Sequence, residues 1–491
     1  MEHNLVAVST ALYGLCDDFL SIVLLVFSIR DNLKKERKSE MRSTQNFTEG
    51  KILSPLILFA LPVLLAIFLQ TMYGAVDMLI VGWFGSAADI SAVSTGSWVM
   101  QTVTTAIVGL AMGTTILLGR KIGEGKSHEA GDVIGASLCL FAVIGAAVTL
   151  LMEIFAVPVT NIVKAPEEAF SGTVSYIRIC SGGALFIVAY NVIGSIFRGM
   201  GNSKMPLITV TIACVCNIIG DLLLVGVFGM GVAGAAIATV FAQAVSVVIS
   251  VIIIRKQKMP FTFGRDNIRF NKNIIGKVVK LGLPIAFQDT LVSISFLTIT
   301  AIVNTLGVTA SAGVGVAEKI CGFVLLVPSA YMQSMSAFVA QNIGAEKPDR
   351  AKKALIYGIL TSLAAGVFLS YFSFFHGDLL AGIFNKDPVV IEAAAEYLKA
   401  YAIDCLLVSF LFCFIGYFNG CGHTKFNMIQ GIAGAFGVRI PVSFLMSRIV
   451  PVSLFKVGLA TPCSTVLQII LCVTYFFITE RRRKKADTAN I

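Results

Sequence analysis

LPVLLAIFLQTMYGAVDMLIVGWFG (Leu61–Gly85) and LPIAFQDTLVSISFLTITAIVNTLG (Leu283–Gly307) are the same device written twice, 222 residues apart. Each opens on Leu-Pro, closes on Gly, and runs long enough between them for an apolar helix to cross a ~30 Å hydrocarbon layer. The echo continues downstream. Ile122-Gly123 answers Ile343-Gly344, Ala130 answers Ala351, and Ala238-Thr239 answers Ala460-Thr461. The run Phe197-Arg198-Gly199-Met200-Gly201-Asn202-Ser203-Lys204 answers Phe418-Asn419-Gly420-Cys421-Gly422-His423-Thr424-Lys425. All offsets are 221 or 222 residues, so almost no net insertion separates the halves. A duplicated helical bundle in a membrane is the usual build of a secondary transporter, with its substrate site where the repeats meet.

Composition agrees. The chain has 491 residues, is 56% hydrophobic and only 13% charged, and has a mean hydropathy of +0.85. That is too apolar for a soluble chain of this length. Lipid offers no partner for open strands, so the expectation is an all-α polytopic membrane protein with twelve transmembrane helices. Spans are expected near 54–83, 91–118, 132–156, 170–197, 205–228, 232–254, 276–305, 311–341, 352–376, 391–419, 427–450 and 455–479. They divide the chain into an N-lobe (51–254), a basic linker (255–275), a C-lobe (276–479) and a basic tail (480–491). Residues 1–50 stand outside the repeat. Either Leu5–Ile29 forms a thirteenth helix, which must tolerate Asp17-Asp18 in lipid, or translation begins at Met41.

A net charge of +10 raises nucleic acid as a partner, but the placement of the charges excludes it. Lys and Arg gather in alternate loops, as at Arg120-Lys121, Lys352-Lys353 and Arg481 to Lys485, while the intervening loops hold little beyond Lys164, Lys386 and Lys456. This is the positive-inside pattern, and it puts both ends of the twelve-helix unit in the cytoplasm of a bacterial-type inner membrane. The cysteines sit mostly inside apolar spans without a Cys-x-x-Cys, and the four histidines are scattered; both read as packing residues, with no cofactor implied. Gly109/Gly113 and Gly131/Gly135 have the spacing that lets membrane helices approach closely.

Catalysis has no visible apparatus. Gly125-Lys126-Ser127 looks like the end of a phosphate-binding loop, but Arg120 stands where the first glycine is required, and no strand precedes it. What the chain does carry is ionisable residues at membrane depth. Asp77 lies in the first span, one turn after Tyr73 and two after Gln70; Asp221 lies in the fifth, one turn after Asn217. A charge at the bilayer centre costs about 2.5–3.5 kcal/mol on insertion scales. Such a carboxylate persists only if protonated, paired with a cation or wetted. The alternative is a buried hydrogen-bonding strut. Glu318-Lys319 and Arg439 read either as gate or substrate contacts or as charges neutralised by another helix. Arg178 reads as snorkelling to an interface.

These residues also carry a resemblance. The run Leu61-Pro62 … Gln70-Thr71-Met72-Tyr73-Gly74-Ala75-Val76-Asp77 … Val81-Gly82 … Phe84-Gly85 resembles the first helix of the multidrug and toxic compound extrusion (MATE) family. Arg198-Gly199-Met200-Gly201-Asn202-Ser203, then Asn217 to Asp221 and Gly229 to Thr239, are similar to that family's fifth and sixth helices. The resemblance spans about residues 50–480. It implies two pseudo-symmetric six-helix lobes around a central cavity, alternating between inward- and outward-open states. It implies export of small organic molecules, often cationic, in exchange for H+ or Na+. Matched residue by residue, it places the cation site, for H+ or Na+, at Asp77, Asn217, Asp221 and Thr239. It makes Gln70, Tyr73, Tyr176 and Asn191 neighbours in the cavity, and Pro62 a candidate hinge.

The C-lobe departs from the NorM-type pattern. Where acids are expected in helices seven and ten this chain has Val292 and Val408, with Asp289 and Asp404 each one turn earlier. They form a displaced site, or they serve substrate binding or packing. The expected partners are small-molecule substrates and the bilayer, with no obligatory protein partner. A related reading is a flippase for lipid-linked or polysaccharide precursors. A membrane-embedded enzyme or a regulator without transport is a more distant one.

Overall fold

The computed structural model describes residues 47–256 and 263–489; Asp17-Asp18 and Met41 lie outside them. The described residues are helical, with no strand among them. Eleven helices are long and apolar enough to cross a membrane, and a bent pair makes twelve. In the N-lobe these are α1 (Leu53–Phe84), α2 (Ala87–Gly123), α3 (Ser127–Ile162), α4 (Glu167–Gly182 with Ala184–Gly199), α5 (Lys204–Asp221, extended by a wider turn over Leu222–Val227) and α6 (Gly231–Lys256). In the C-lobe they are α7 (Lys272–Asn304), α8 (Val308–Val324 with Leu326–Gly344), α9 (Pro348–Phe375), α10 (Pro388–Cys421), α11 (Thr424–Met446) and α12 (Ala460–Ala489).

Polar caps explain where the helices begin. Ser86 and Asp89 form a reciprocal capping box at the start of α2, Asn271 caps α7 through two backbone N–H groups, and Asp387 caps α10, which has Pro388 in its first turn. Three helices are less regular than the sequence predicts. The fourth span is two segments bent by 57°. The break falls at Gly182-Gly183, where Val240 of α6 fills the space a Cβ on Gly183 would take. α8 breaks at Leu325 because Pro328 lacks the N–H that would bond the Val324 carbonyl. α12 runs on to Ala489, where Glu480 and Arg483 pair with Lys352 and Asp349 of α9.

The lobes interlock at the end where the basic loops gather. The first turns of α1 (Leu56, Phe59, Val63) pack into the C-lobe core with Met335, Phe338 and Phe414. Past Pro62, Ala66 and Leu69 pack instead on Val210 of α5, inside their own lobe. α7 mirrors this: Val278 packs into the N-lobe core with Phe141 and Phe197, and Ile299 and Val303 return to the C-lobe. Pro62 therefore lies inside the stretch over which α1 passes from the C-lobe core to its own lobe, and Pro284 inside the stretch of α7 that still packs on α2. Even so, each helix runs unbroken through its proline.

Two hydrogen bonds one repeat apart close this end. Arg120 Nη2 donates to the Gly420 carbonyl at 3.2 Å, and Gln341 Nε2 donates to the Gly199 carbonyl at 2.9 Å. Arg120 and Gln341 are repeat counterparts, as are Gly199 and Gly420. Beside them Gly344 abuts the Arg120 carbonyl and Gly123 abuts the Gln341 carbonyl, so neither site has room for a Cβ. Gly109 and Gly113 of α2 likewise meet Ala286 and Gly282 of α7. Toward the opposite end the lobes part. Trp98, Gln101, Thr102 and Thr105 of α2 face Ser293 and Phe296 of α7, and Glu318 of α8, across a cavity of about 260 Å3.

Overpacking a tight contact costs about 1–3 kcal/mol. Gly344→Val is therefore expected to unlatch the basic end, seen as longer and broader spin-label distances between positions 126 and 346. An unchanged distribution would show that the glycine contact does not hold the lobes together.

Candidate functional site

The N-lobe site is assembled from α1, α5 and α6. Asp77, Asn217 and Asp221 are buried, and Thr239 is half-buried. The Thr239 hydroxyl lies 3.1 Å from Asp77 Oδ2 and 3.0 Å from the Ala235 carbonyl, so one proton serves two acceptors. Asp221, Thr239 and Asn217 are the side chains facing the Asp77 carboxyl. Even so, Asp77 Oδ1, both Asp221 oxygens and both Asn217 amide atoms have no hydrogen-bond partner among the described residues. Five orphaned polar atoms at one spot are far more than a native interior tolerates by accident. No Lys or Arg lies within 4 Å of either carboxyl among the described residues. Two adjacent buried carboxylates cannot both stay ionised without a proton or cation between them. The donors are all hard oxygens, suited to a proton or a small monovalent cation.

The structure brings the four expected cation-site residues together and arranges most of their expected neighbours around them. Tyr73 stands beside Asp77, with Gln70 and Gln243 at its hydroxyl. Tyr190 continues the polar line from Tyr73 toward Arg198, which donates to Ser195 Oγ at 2.8 Å. Tyr176 lies near Asp77, Ser97 and Thr239. Asn191 is buried on α4 and donates to the Ile187 carbonyl of its own helix. Sequence reasoning missed Gln243, Ser97 and Tyr190, which lie outside the stretches that carry the resemblance.

The C-lobe does not copy this site. One repeat later, Ile299 stands for Asp77, Arg439 for Asn217, Ser443 for Asp221 and Thr461 for Thr239. Tyr397 stands for Tyr176 and Glu318 for Ser97. Arg439 is buried, donates to Ser295 Oγ at 3.0 Å and lies 4.3 Å over the Phe296 ring. A hydroxyl and an aromatic face hold this guanidinium, with no carboxylate within 4 Å among the described residues. Glu318 accepts from Thr300 at 3.1 Å, and its neighbour Lys319 is exposed. Asp404 lies near Thr465 and Arg439, whereas Asp289 faces Gly109 of α2 in the seam between lobes. The structure therefore does not bring Asp289 and Asp404 into one site. The ten described cysteines are all free.

A duplicated twelve-helix bundle, with a carboxyl pair buried in one half and a cleft between the halves, has the build of a secondary membrane transporter. The MatE family profile matches residues 62–223 and again 284–445, and the chain belongs to that family. It is 25% identical to "Probable multidrug resistance protein YoeA" of Bacillus subtilis (strain 168), over 91% of this chain and 98% of the relative. It is 26% identical to the "FAD transporter" of Shewanella oneidensis, over 92% of this chain and 100% of the relative. The fold is similar to that of a solved structure described as "Outward-facing conformation of a multidrug resistance MATE family transporter of the MOP superfamily". That match has a TM-score of 0.83 at 20% identity and covers 92% of this chain and 99% of the other.

Buried polar groups without partners cost stability and persist for function. Asp221→Leu is expected to raise the thermal midpoint of the purified protein by several degrees, the response to roughly 1–3 kcal/mol of relieved desolvation. An unchanged or lower midpoint would make Asp221 a structural strut.

Proposed function

We propose that this protein exports small organic molecules, drugs or metabolites, in exchange for H+ or Na+ entering through the Asp77–Asp221 site. The observation that carries this reading is the pair of adjacent buried carboxyls without a basic partner. With the carboxyls ionised, the N-lobe side of the cleft attracts a polar or cationic substrate. Entry of H+ or Na+ neutralises them and removes that attraction, so the substrate leaves to the outside. One elementary charge moving inward through 100 mV supplies about 2.3 kcal/mol, before any concentration gradient is counted. Asn217 and Thr239 serve as further oxygen ligands for the entering cation, and Gln70, Tyr73 and Tyr176 as polar contacts on the substrate side.

Orientation follows from the basic loops. Their charge supports a latched end in the cytoplasm of a bacterial-type inner membrane, with the parted end facing outward. Pro62 and Pro284, at matching places in α1 and α7, then act as hinges. Names borne by relatives support multidrug or metabolite export. A lipid-precursor flippase needs a strongly cationic cavity. Here the residues lining the cleft include Glu318 and no Lys or Arg.

The test is ethidium efflux from proteoliposomes under an imposed pH or Na+ gradient. Wild type is expected to export under one of the two gradients and so name the coupling ion. Asp77→Asn is expected to lose at least about tenfold in rate, since it removes a group that must change charge in the cycle. Full gradient-driven export by Asp77→Asn would refute the mechanism.

A further inference from the structure

A crevice of about 430 Å3 opens beside the latch at the basic end, lined by Arg120, Lys277, Lys280, His423 and Lys425. Leu117, Leu281 and Phe426 give it an apolar floor, and no Asp or Glu is among its described lining residues. It is built from both lobes, with Arg120 on α2 of the N-lobe and the other basic residues from α7, α11 and the turn just before α11 in the C-lobe. Its shape is set locally. Gly422 has φ +79°, and the Arg120 guanidinium occupies the space that a Cβ there would need. His423 Nδ1 lies 2.9 Å from Tyr475 Oη, and the Tyr475 ring stacks on Phe426 at 3.9 Å. No carboxylate lies within 4 Å of Lys277, Lys280 or Lys425 among the described residues.

Basic residues at this end of a membrane protein need no ligand to account for them. The duplication supplies an internal control, because it places an equivalent face on the other side of the bundle. There Gln341 stands for Arg120, Pro55 for Lys277, Leu58 for Lys280, Asn202 for His423 and Lys204 for Lys425. One cation answers five basic positions. A general bias toward positive loops charges both faces alike, so this excess belongs to one crevice. The requirement that concentrates cationic donors over an apolar floor at this depth is an anionic group with an apolar stem.

We infer that the crevice binds a phosphate-bearing anion and, by bridging α2 to α7 and α11, favours the state in which the basic end is latched. The phosphate sits among Arg120, Lys277, Lys280 and Lys425, and the stem lies on Leu117, Leu281 and Phe426. An anionic phospholipid headgroup and a free phosphate compound share this chemistry, and they differ in what the apolar floor contributes.

The full-length protein is purified in a neutral detergent and its thermal midpoint is followed against three probes. These are dioctanoyl phosphatidylglycerol, dioctanoyl phosphatidylcholine and inorganic phosphate. Phosphatidylglycerol is expected to raise the midpoint saturably where phosphatidylcholine does not. Lys277→Gln with Lys280→Gln is expected to weaken that response about 30-fold in half-saturating concentration, as two basic residues near an anionic group are worth. Both lysines are exposed, so this variant keeps its fold. Lys204→Gln, on the opposite face, is expected to shift the concentration less than about twofold. If inorganic phosphate matches phosphatidylglycerol and responds to the same double variant, the site stands and its source is a free phosphate. If neither phosphate probe outperforms phosphatidylcholine, or if the double variant responds like wild type, the inference is overturned.

Discussion

Asp77 and Asp221 face each other inside the N-lobe, buried, with no Lys or Arg among the described residues within 4 Å to balance them. Lipid and protein together offer too low a dielectric for both to remain charged alone. Any cycle that ionises them must bring in a cation or a substrate, and any cycle that neutralises them must supply a proton or metal ion. That constraint accounts for the surroundings. Asn217 and Thr239 present further oxygen atoms to the same point, Tyr73 and Tyr176 flank it, and five polar atoms wait there without partners. An interior selected only for stability would have replaced this arrangement with apolar side chains.

The duplication ties each lobe physically to the other. α1 carries Asp77 in its second half and packs its first half into the opposite lobe, with Pro62 between them. The reciprocal bonds of Arg120 and Gln341, with Gly123 and Gly344 pressed against backbone carbonyls, keep one end closed by small and specific contacts. They sit beside apolar packing of each lobe on the other, Leu56 and Phe59 on Phe338 and Val278 on Phe197. The two halves have meanwhile diverged in chemistry. Arg439 and Ile299 stand where the N-lobe has Asn217 and Asp77, so the carboxyl pair of the N-lobe has no copy at the matching C-lobe positions.

Much of this was legible in the sequence because the repeat keeps its register. The two Leu-Pro…Gly stretches set the helix count and lobes. Asp77, Asn217, Asp221 and Thr239 converge as the family resemblance implies. The glycine pairs 123/344 and 199/420 were visible as echoes, although nothing local says that Arg120 reaches the Gly420 carbonyl 300 residues away. The bend in α4 at Gly182-Gly183 was not legible, because what fills the space there is Val240 on another helix. Gln243 and Ser97 stayed hidden because a pocket drawn from several helices has no linear motif. Asp289 and Asp404, similar in sequence context, separate because one faces the lobe seam and the other the C-lobe interior.

The most direct test of the account is the spin-label distance between positions 87 and 308, across the parted end, in a cysteine-free background. It is measured in nanodiscs at high pH without Na+, and again at low pH or with added Na+. The expected result is a cation-dependent shift in the populations of two distances in wild type, absent when Asp77→Asn and Asp221→Asn are combined. A shift that persists undiminished in the double variant would contradict the account, because the lobes would then be answering a cation bound elsewhere.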